Sequence, residues 1–431
     1  MIQNVDLAIT LTPELRLEQA LKDAGVENVA AVTKLTVAGT LTKDDFRYMA
    51  KNMGKTLREL DMGDAMLEKN TIKAKTFFQP CGLTAITIPD SVDHIYLKAF
   101  TDCPELNSIT MRPSSKHPKC TSENGILFSK DKTELLCCPS GRKGDYAIPD
   151  SVVKIGISAF SGCSGLTSIT IPNSVKEIER DAFIFCSGLT SITIPDSVTS
   201  IDFFGVFARC FGLLSINVHP DNPNYTSEDG VLFNKNKTQL LAYPGGREGS
   251  YVIPNSVTTI NWRAFDGCSK LTSITIPDLL EKIDDSFVFS NCENLASIQI
   301  SKSLVDIEFL YHGSISAVTI HPDNPKFVCE NGVVFNKDKT ELLFYPRERL
   351  KDSQQKESGY TYTIPDSVIK IRHGAFDWWI QSRLKNIVIP KSVVSVGENH
   401  LVANQFDNYF VTVHPDNPFF ASENGKIHEK S

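Results

Sequence analysis

From Leu166 the chain spells LTSITIPNSVKEIERDAFIFCSG and restarts at Leu189 as LTSITIPDSV, a period of 23 residues that recurs from about residue 80 to residue 389. A fixed period of this size is the signature of a stacked solenoid, and it constrains the fold before any local motif does. Length then counts coils instead of domains. The 431 residues therefore read as one solenoid over residues 32–431 behind an N-terminal helical cap at 1–31.

Each letter of L-x-x-I-x-I-P-x-S-V-x-x-I-x-x-x-A-F-x-x-C has a physical task. Leu166, Ile169 and Ile171 take the inward positions of a short strand, since side chains alternate across a strand. Pro172 lacks an N–H and ends that strand. Val175, Ile178, Ala182 and Phe183 then return to the interior around a turn or short helix on the other side. Burying about six large apolar side chains contributes roughly 1.5 to 3 kcal/mol each, which offsets chain ordering only when neighbouring coils cover both faces. A lone coil is expected not to fold. The fold class read from this is an α/β solenoid with a parallel β-sheet of about 15 short strands, short helices or turns on the other face, and inserted β-hairpins. Strand cores are placed near residues 35, 60, 86, 109, 147, 169, 192, 216, 252, 274, 298, 318, 363, 387 and 411.

Residues 1–31 lack the period. They read as a helix with Thr12 as cap, Leu17, Leu21 and Ala24 on one face, and Gly25 as the stop. Residues 32–80 hold two irregular repeats, Val32–Val37 and Leu57–Met62. Between them lies a second helix capped by Thr42, with Phe46, Met49, Ala50 and Met53 inward. A longer unit begins at His219 as HPDNPNYTSEDGVLFNKNKTQLLAYPGG; inserts of this kind lie near 113–148, 219–253 and 321–364, with a partial copy at 414–431. The runs Val231–Phe233 and Gln239–Tyr243 flank the turn-prone NKNKT and read as a β-hairpin projecting between coils. The third insert carries the polar stretch RERLKDSQQKES around Arg349–Ser358, expected to be a mobile loop.

Net charge is −7 without a basic run, so nucleic acid is not expected as a partner. No apolar stretch approaches the roughly 20 residues of a spanning helix, and membrane insertion is not expected. Met1 is followed by the polar MIQNVDL, without the charged and apolar regions of a signal peptide. A cytosolic protein and an exported one whose leader has been removed both fit.

Cys103, Cys163, Cys186, Cys210, Cys268 and Cys292 each stand three residues after a phenylalanine, as Cys81 does after Phe78. Rungs about 4.8 Å apart lie within disulfide reach. Yet each rung has two equivalent neighbours, and Cys serves well as a small buried hydrophobe. All eleven cysteines are therefore expected to be reduced thiols.

Candidates for chemistry are few. His219-Pro-Asp-Asn-Pro recurs at His321 and His414, but no copy adds a second His or Cys at ligand spacing, and Asp and Asn before Pro is turn chemistry. Cys137-Cys138 align with Ala242-Tyr243 and Phe344-Tyr345, which marks hairpin packing, and Trp378-Trp379 read as core filling. No catalytic residue, metal ligand or cofactor site is assigned. What remains is a surface, the outward strand positions Ser168, Thr170, Ser191, Thr193, Ser215, Asn217, Ser273, Thr275, Ser297 and Gln299. Thr suits an exposed strand by its β-branching alone; a long hydroxyl face also offers a platform for multivalent contacts.

With L-x-S-I-T-I-P-x-S-V-x-x-I-x-x-x-A-F-x-x-C repeated over roughly residues 80–400, the chain resembles the BspA-like leucine-rich-repeat proteins. VTKLTVAGTLTKDDFRYMAKNMGKTLRELDMGDAML is likewise similar to the irregular N-terminal repeats of bacterial members. The resemblance implies a right-handed solenoid, no catalytic centre, and a surface or secreted protein of host-associated microbes that adheres to matrix proteins or other cells. No binding residue carries over, because the family's motif letters are core and turn positions. The expected function is non-enzymatic adhesion to a protein or glycan at the cell surface or after secretion, by a monomer. The alternative is an intracellular or periplasmic interaction scaffold.

Overall fold

The structure, a computed structural model, describes residues 5–72, 81–92, 94–95, 99–100, 103–112, 119–283, 287–312, 315, 317–346, 360–376, 384–397 and 410–430. The 349–358 stretch, Trp378-Trp379 and the first residues of the first insert lie outside them. Two compact units are present, Met1–Lys235 with Ala242–Gly246, and Asn236–Leu241 with Arg247–Ser431. Each is a β-solenoid.

The start of the first unit differs from the helical cap expected of it. Val5–Leu11 is a strand, paired in parallel with Val32–Leu41. The helix begins only at Leu17 and ends at Asp23. Its N-cap is Arg16; Thr12 instead accepts from the backbone N–H of Glu14 and Leu15, making the turn between strand and helix. Leu17, Ala20 and Leu21 face the core, and Ala24 is exposed. The exit does follow the sequence. Gly25, at φ 73°, donates to Lys22 O while Val26 donates to Leu21 O, the paired bonds of a glycine-terminated helix. The second helix, Lys43–Met53, opens with the Thr42/Asp45 capping box and buries Phe46, Met49 and Met53, while Ala50 is half-buried. Asp45 is itself buried, and its carboxylate also takes the Arg16 guanidinium (3.1 Å) and the Leu17 N–H (3.0 Å), which ties the two helices together.

Every strand core placed from sequence lies in a strand, and Val5–Leu11 adds one more. Inward residues such as Ile169, Ile192 and Ile216 in the first unit and Ile274, Ile298 and Ile387 in the second are buried. The opposite side holds few helices. It is built of turns and two-residue strands, Lys154–Ile155, Glu177–Ile178 and Ser200–Ile201 in the first unit, stacked in parallel as a second, shorter ladder. Backbone groups here are satisfied between coils, Glu179 N–H donating to Ile155 O and Asp202 N–H to Ile178 O. Phenylalanines of the A-F-x-x-C frame stack beneath these turns. Phe160–Phe183 and Phe183–Phe207 lie at 5.3 and 5.5 Å in the first unit, and Phe265–Phe289 at 5.3 Å in the second.

The inserts do not project. Each of the three full inserts adds one strand more than the expected hairpin, and all four copies turn on a pair of positive-φ residues: Asn124-Gly125, Asp229-Gly230, Asn331-Gly332 and Asn424-Gly425. Two left-handed residues match a two-residue hairpin to the twist of its strands. In the third copy the turn joins Phe327–Glu330 to Val333–Asn336, which then pairs antiparallel with Glu341–Phe344. Glu341–Phe344 in turn pairs in parallel with Lys370–Ile371, so the insert feeds the short ladder. The turn also closes the edge of the long-strand sheet. Ile109 N–H donates to Gly125 O and Met111 N–H to the Ser122 hydroxyl; Ile216 and Val218 repeat this with Gly230 and Ser227, and Val411 and Val413 with Gly425 and Ser422. A side chain at residue 230 would meet Ser215 Cβ at 2.8 Å, so the approach demands glycine. The expected continuous sheet is divided at the inserts, whose hairpins occupy the donors a following strand would use, and also between Gly165–Thr170 and Ser191–Ile194, where no insert lies. Covering by such hairpins protects an exposed sheet edge from non-specific pairing.

The expectation of reduced cysteines throughout fails at one pair. Cys81 and Cys103 form a disulfide, with Cα atoms 4.9 Å apart and a sequence separation of 22. Three other rungs instead donate their thiols to the carbonyl of the preceding coil: Cys186 to Phe160 O (3.1 Å), Cys210 to Phe183 O (3.0 Å) and Cys292 to Phe265 O (3.1 Å).

Candidate functional site

The histidine motif resolves into scaffold. Asn222 of His219-Pro-Asp-Asn-Pro is fully buried, donates to Pro195 O (2.7 Å) and Val198 O (3.0 Å), and accepts from the N–H of Asn224 and Tyr225. Asn324 and Asn417 make the same four bonds in the second unit. His219 Nδ1 merely accepts the Asp221 N–H, as His321 and His414 do with Asp323 and Asp416. A lysine sixteen residues past each histidine, Lys235, Lys337 or Lys430, then bonds the carbonyls of the motif's first proline and of the clamping asparagine. Among the described residues no group of three or more His, Cys, Asp and Glu could hold a metal.

The cysteine ladder is equally inert. Burial pushes the Cys210 thiol up to about 12 and holds the Cys186 thiol well above its ordinary value. Cys163 is raised first by its hydrogen bond with the Cys138 thiol and then by burial. Thiolates are the reactive form, so these side chains pack and do not attack.

The Ser/Thr face is partly assembled in each unit separately. In the first, Ser191 pairs with Ser215 and Thr193 with Asn217 as lateral neighbours. In the second, Ser273 pairs with Ser297 and Thr275 with Gln299. All these side chains are half-buried or exposed, as are Ser168 and Thr170. Ser168 and Thr170 take Asp145 and Ala147 as their paired neighbours. Asp145 therefore adds a carboxylate to the face, and Thr167 donates to it at 2.8 Å.

The sequence reading passed over the first coils of the same ladder, where the outward positions are charged. Lys34 pairs with Glu59 at 3.0 Å, and Glu59 holds the Lys34 ammonium above its ordinary value, first by the hydrogen bond and then by charge. Arg112 reaches Asp64 at 2.7 Å. A cleft of about 780 Å³, lined by Asp6, Lys34, Lys55, Arg58 and Glu59 among others, opens beside this pair. The signal was present in the irregular repeats VTKLTV and LRELDM, where Lys34 and Glu59 occupy one frame position.

The chain matches the family described as BspA type Leucine rich repeat region in 6 copies, over residues 69–122, 144–244, 249–324 and 355–412. Among solved structures it is similar to a leucine rich cell surface protein of Faecalibacterium prausnitzii A2-165, at 24% identity over 80% of this chain and 83% of that one (TM-score 0.43). It is also similar to the pneumococcal vaccine antigen PcpA, at 20% over 84% and 75% (TM-score 0.39). A leucine-rich repeat protein of Eubacterium ventriosum matches at 18% over 84% and 79% (TM-score 0.36). No curated protein matches the chain. With its repeat frame matched over most of its length, the chain belongs to the BspA-type leucine-rich-repeat family.

Proposed function

We propose that the chain is a non-enzymatic binding and adhesion scaffold, active at the cell surface or after secretion, that engages a protein or glycan through its outward Ser/Thr rows. The observation that carries this is the register. Ser191/Ser215 and Thr193/Asn217 in one unit, and Ser273/Ser297 and Thr275/Gln299 in the other, present short polar groups on rigid parallel strands. Such a preorganised array binds without ordering its own backbone. Location outside the cytosol is supported by the Cys81–Cys103 disulfide, because reducing compartments keep thiols unpaired. Among the described residues no helix is long and apolar enough to cross a membrane.

The test is binding of the intact chain to immobilised extracellular-matrix proteins and to a glycan array, with and without Thr170→Asp plus Thr193→Asp. Both threonines are exposed, so folding is expected to survive while binding falls at least tenfold. Unchanged binding would refute the strand-face assignment. Recovery of the chain from cells with Cys81 and Cys103 reduced would favour the intracellular scaffold.

A further inference from the structure

Two adjacent coils of the first unit depart from the frame in a way that packing does not require. The residue before five of the ladder cysteines is left-handed: Gly162, Phe185 and Arg209 in the first unit, Gly267 and Asn291 in the second, with φ between 57° and 88°. Glycine and asparagine tolerate that conformation, whereas a bulky side chain there is strained. Phe185 and Arg209 accept the strain and place their side chains outward, Phe185 being 39% exposed, with the Arg209 guanidinium 5.1 Å from the Phe185 ring centre. Phe211, 39% exposed, stands where the neighbouring coils carry Ser164 and Ser187. Leu214, 55% exposed, stands where they carry Thr167 and Thr190. All four lie on the turns linking the A-F-x-x-C segment to the long strand. The same positions of the second unit hold Ser269, Glu293, Thr272 and Ala296.

We propose that Phe185, Arg209, Phe211 and Leu214 form a docking patch for a polypeptide segment that presents an apolar side chain beside a carboxylate. Strain retained at an exposed position marks a site held for use and not for stability. The composition, exposed Phe and Leu side chains with an arginine over the Phe185 ring, is that of protein-contact hot spots. Phe and Leu carry no hydroxyl or indole N–H, and so lack the polar handle with which Tyr and Trp meet polar ligands; this favours a peptide over a sugar. Arg209, in a chain of net charge −7, supplies the local cation that a carboxylate of the partner would meet.

The patch is distinct from the Ser/Thr rows, and its test separates the two. The intact chain is applied to an array of synthetic decapeptides in which one Leu or Phe beside one Asp is varied to Ala and to Asn, with a glycan array in parallel. Binding is expected to prefer the Leu/Phe-plus-Asp peptides at least tenfold. Phe185→Gly and Arg209→Gly should abolish that preference while leaving the melting temperature equal or higher, since glycine is the residue of Gly162 and Gly267. Asn291→Gly, at the same frame position in the second unit, and Thr170→Asp plus Thr193→Asp should both retain it. Four results would overturn the proposal: no such preference, equal binding by the glycine variants, glycan binding alone, or glycine variants that lose stability together with binding.

Discussion

Replacing Asn222 by alanine is the sharpest perturbation the fold offers. The side chain is fully buried and holds four backbone groups: the carbonyls of Pro195 and Val198 at 2.7 and 3.0 Å, and the N–H groups of Asn224 and Tyr225 at 3.0 and 2.9 Å. Alanine removes the partner and leaves the backbone groups in place. Each buried group left without its partner costs about 1–3 kcal/mol. Four would exceed what single substitutions usually reach, so partial rewetting sets the expected loss at about 4 kcal/mol. That is nearly a thousandfold in local opening. Amide hydrogen exchange at Asn224 and Tyr225, read alongside urea unfolding, measures both the local and the global effect. Asn217→Ala serves as control, because Asn217 is exposed and its contact with Ser215 is long at 3.4 Å; less than about 0.5 kcal/mol is expected there. A loss under about 1 kcal/mol at Asn222 would refute the claim that the His-Pro-Asp-Asn-Pro motif exists to clamp coils.

The same position yields a pH signature. Asn222→Asp places a buried carboxyl against two carbonyl oxygens, which raises its folded pKa above the unfolded value of about 3.9. Relative to the parent, the variant should be least destabilised below pH about 4 and progressively weaker as pH rises through the folded pKa. The opposite slope would mean that the carboxylate has turned to solvent and that the clamp geometry is not enforced.

Three further outcomes are expected. Thiol titration of the unfolded, unreduced chain should find nine thiols, the eleven cysteines less the two of Cys81–Cys103, and removing that bond by Cys81→Ser should cost about 3 kcal/mol for its short loop; a count of eleven would show that the bond does not form. In the native chain at pH 8.5, iodoacetamide should leave Cys210 unlabelled, since burial lifts its thiol to about 12, whereas unfolding should make it react at once. Phe183→Ala opens a void between Phe160 and Phe207 and should cost about 3–5 kcal/mol in denaturant unfolding, far more than Thr193→Ala at an exposed position.

How far the sequence spoke depended on whether a residue's partner lay one period away. Leu166, Ile169, Val175, Ile178 and Phe183 were legible because each packs on its own equivalent in the adjacent coil, and all are buried. Thr42 was legible because its capping partner Asp45 is three residues away. The inserts misled because Val231, Leu232 and Phe233 are all buried, whereas a projecting hairpin would alternate; a consecutive apolar run signals a strand covered on both faces. Residues 5–11 were missed for a similar reason, since alternation in VDLAITL lies outside the periodic region that set expectations. The disulfide had no sequence signal at all. Cys81, Cys103 and Cys186 share one frame, and only the carbonyl that a thiol meets decides between a bond to sulfur and a bond to oxygen.

That division also orders the functional candidates. A residue that repeats with the period is explained by the stack, and the Ser and Thr of the strand rows fall under that explanation as well as under a binding role. Lys34, Glu59 and Asp145 break the uniformity of those rows; Phe185 and Arg209 break the frame at conformational expense, and Phe211 and Leu214 break it by exposing apolar side chains. Departures that oppose the local preference of the backbone are where selection for something other than stability leaves its mark. On this reasoning the outward patch beside Cys210 ranks above the hydroxyl rows as a specificity determinant. The rows would supply breadth of contact and the patch the choice of partner. If so, Thr170→Asp with Thr193→Asp should weaken binding to every partner in proportion, whereas Phe185→Gly should change which partner is preferred. Parallel measurement of the two variants against the same panel decides it, and equal proportional losses in both would refute the ranking.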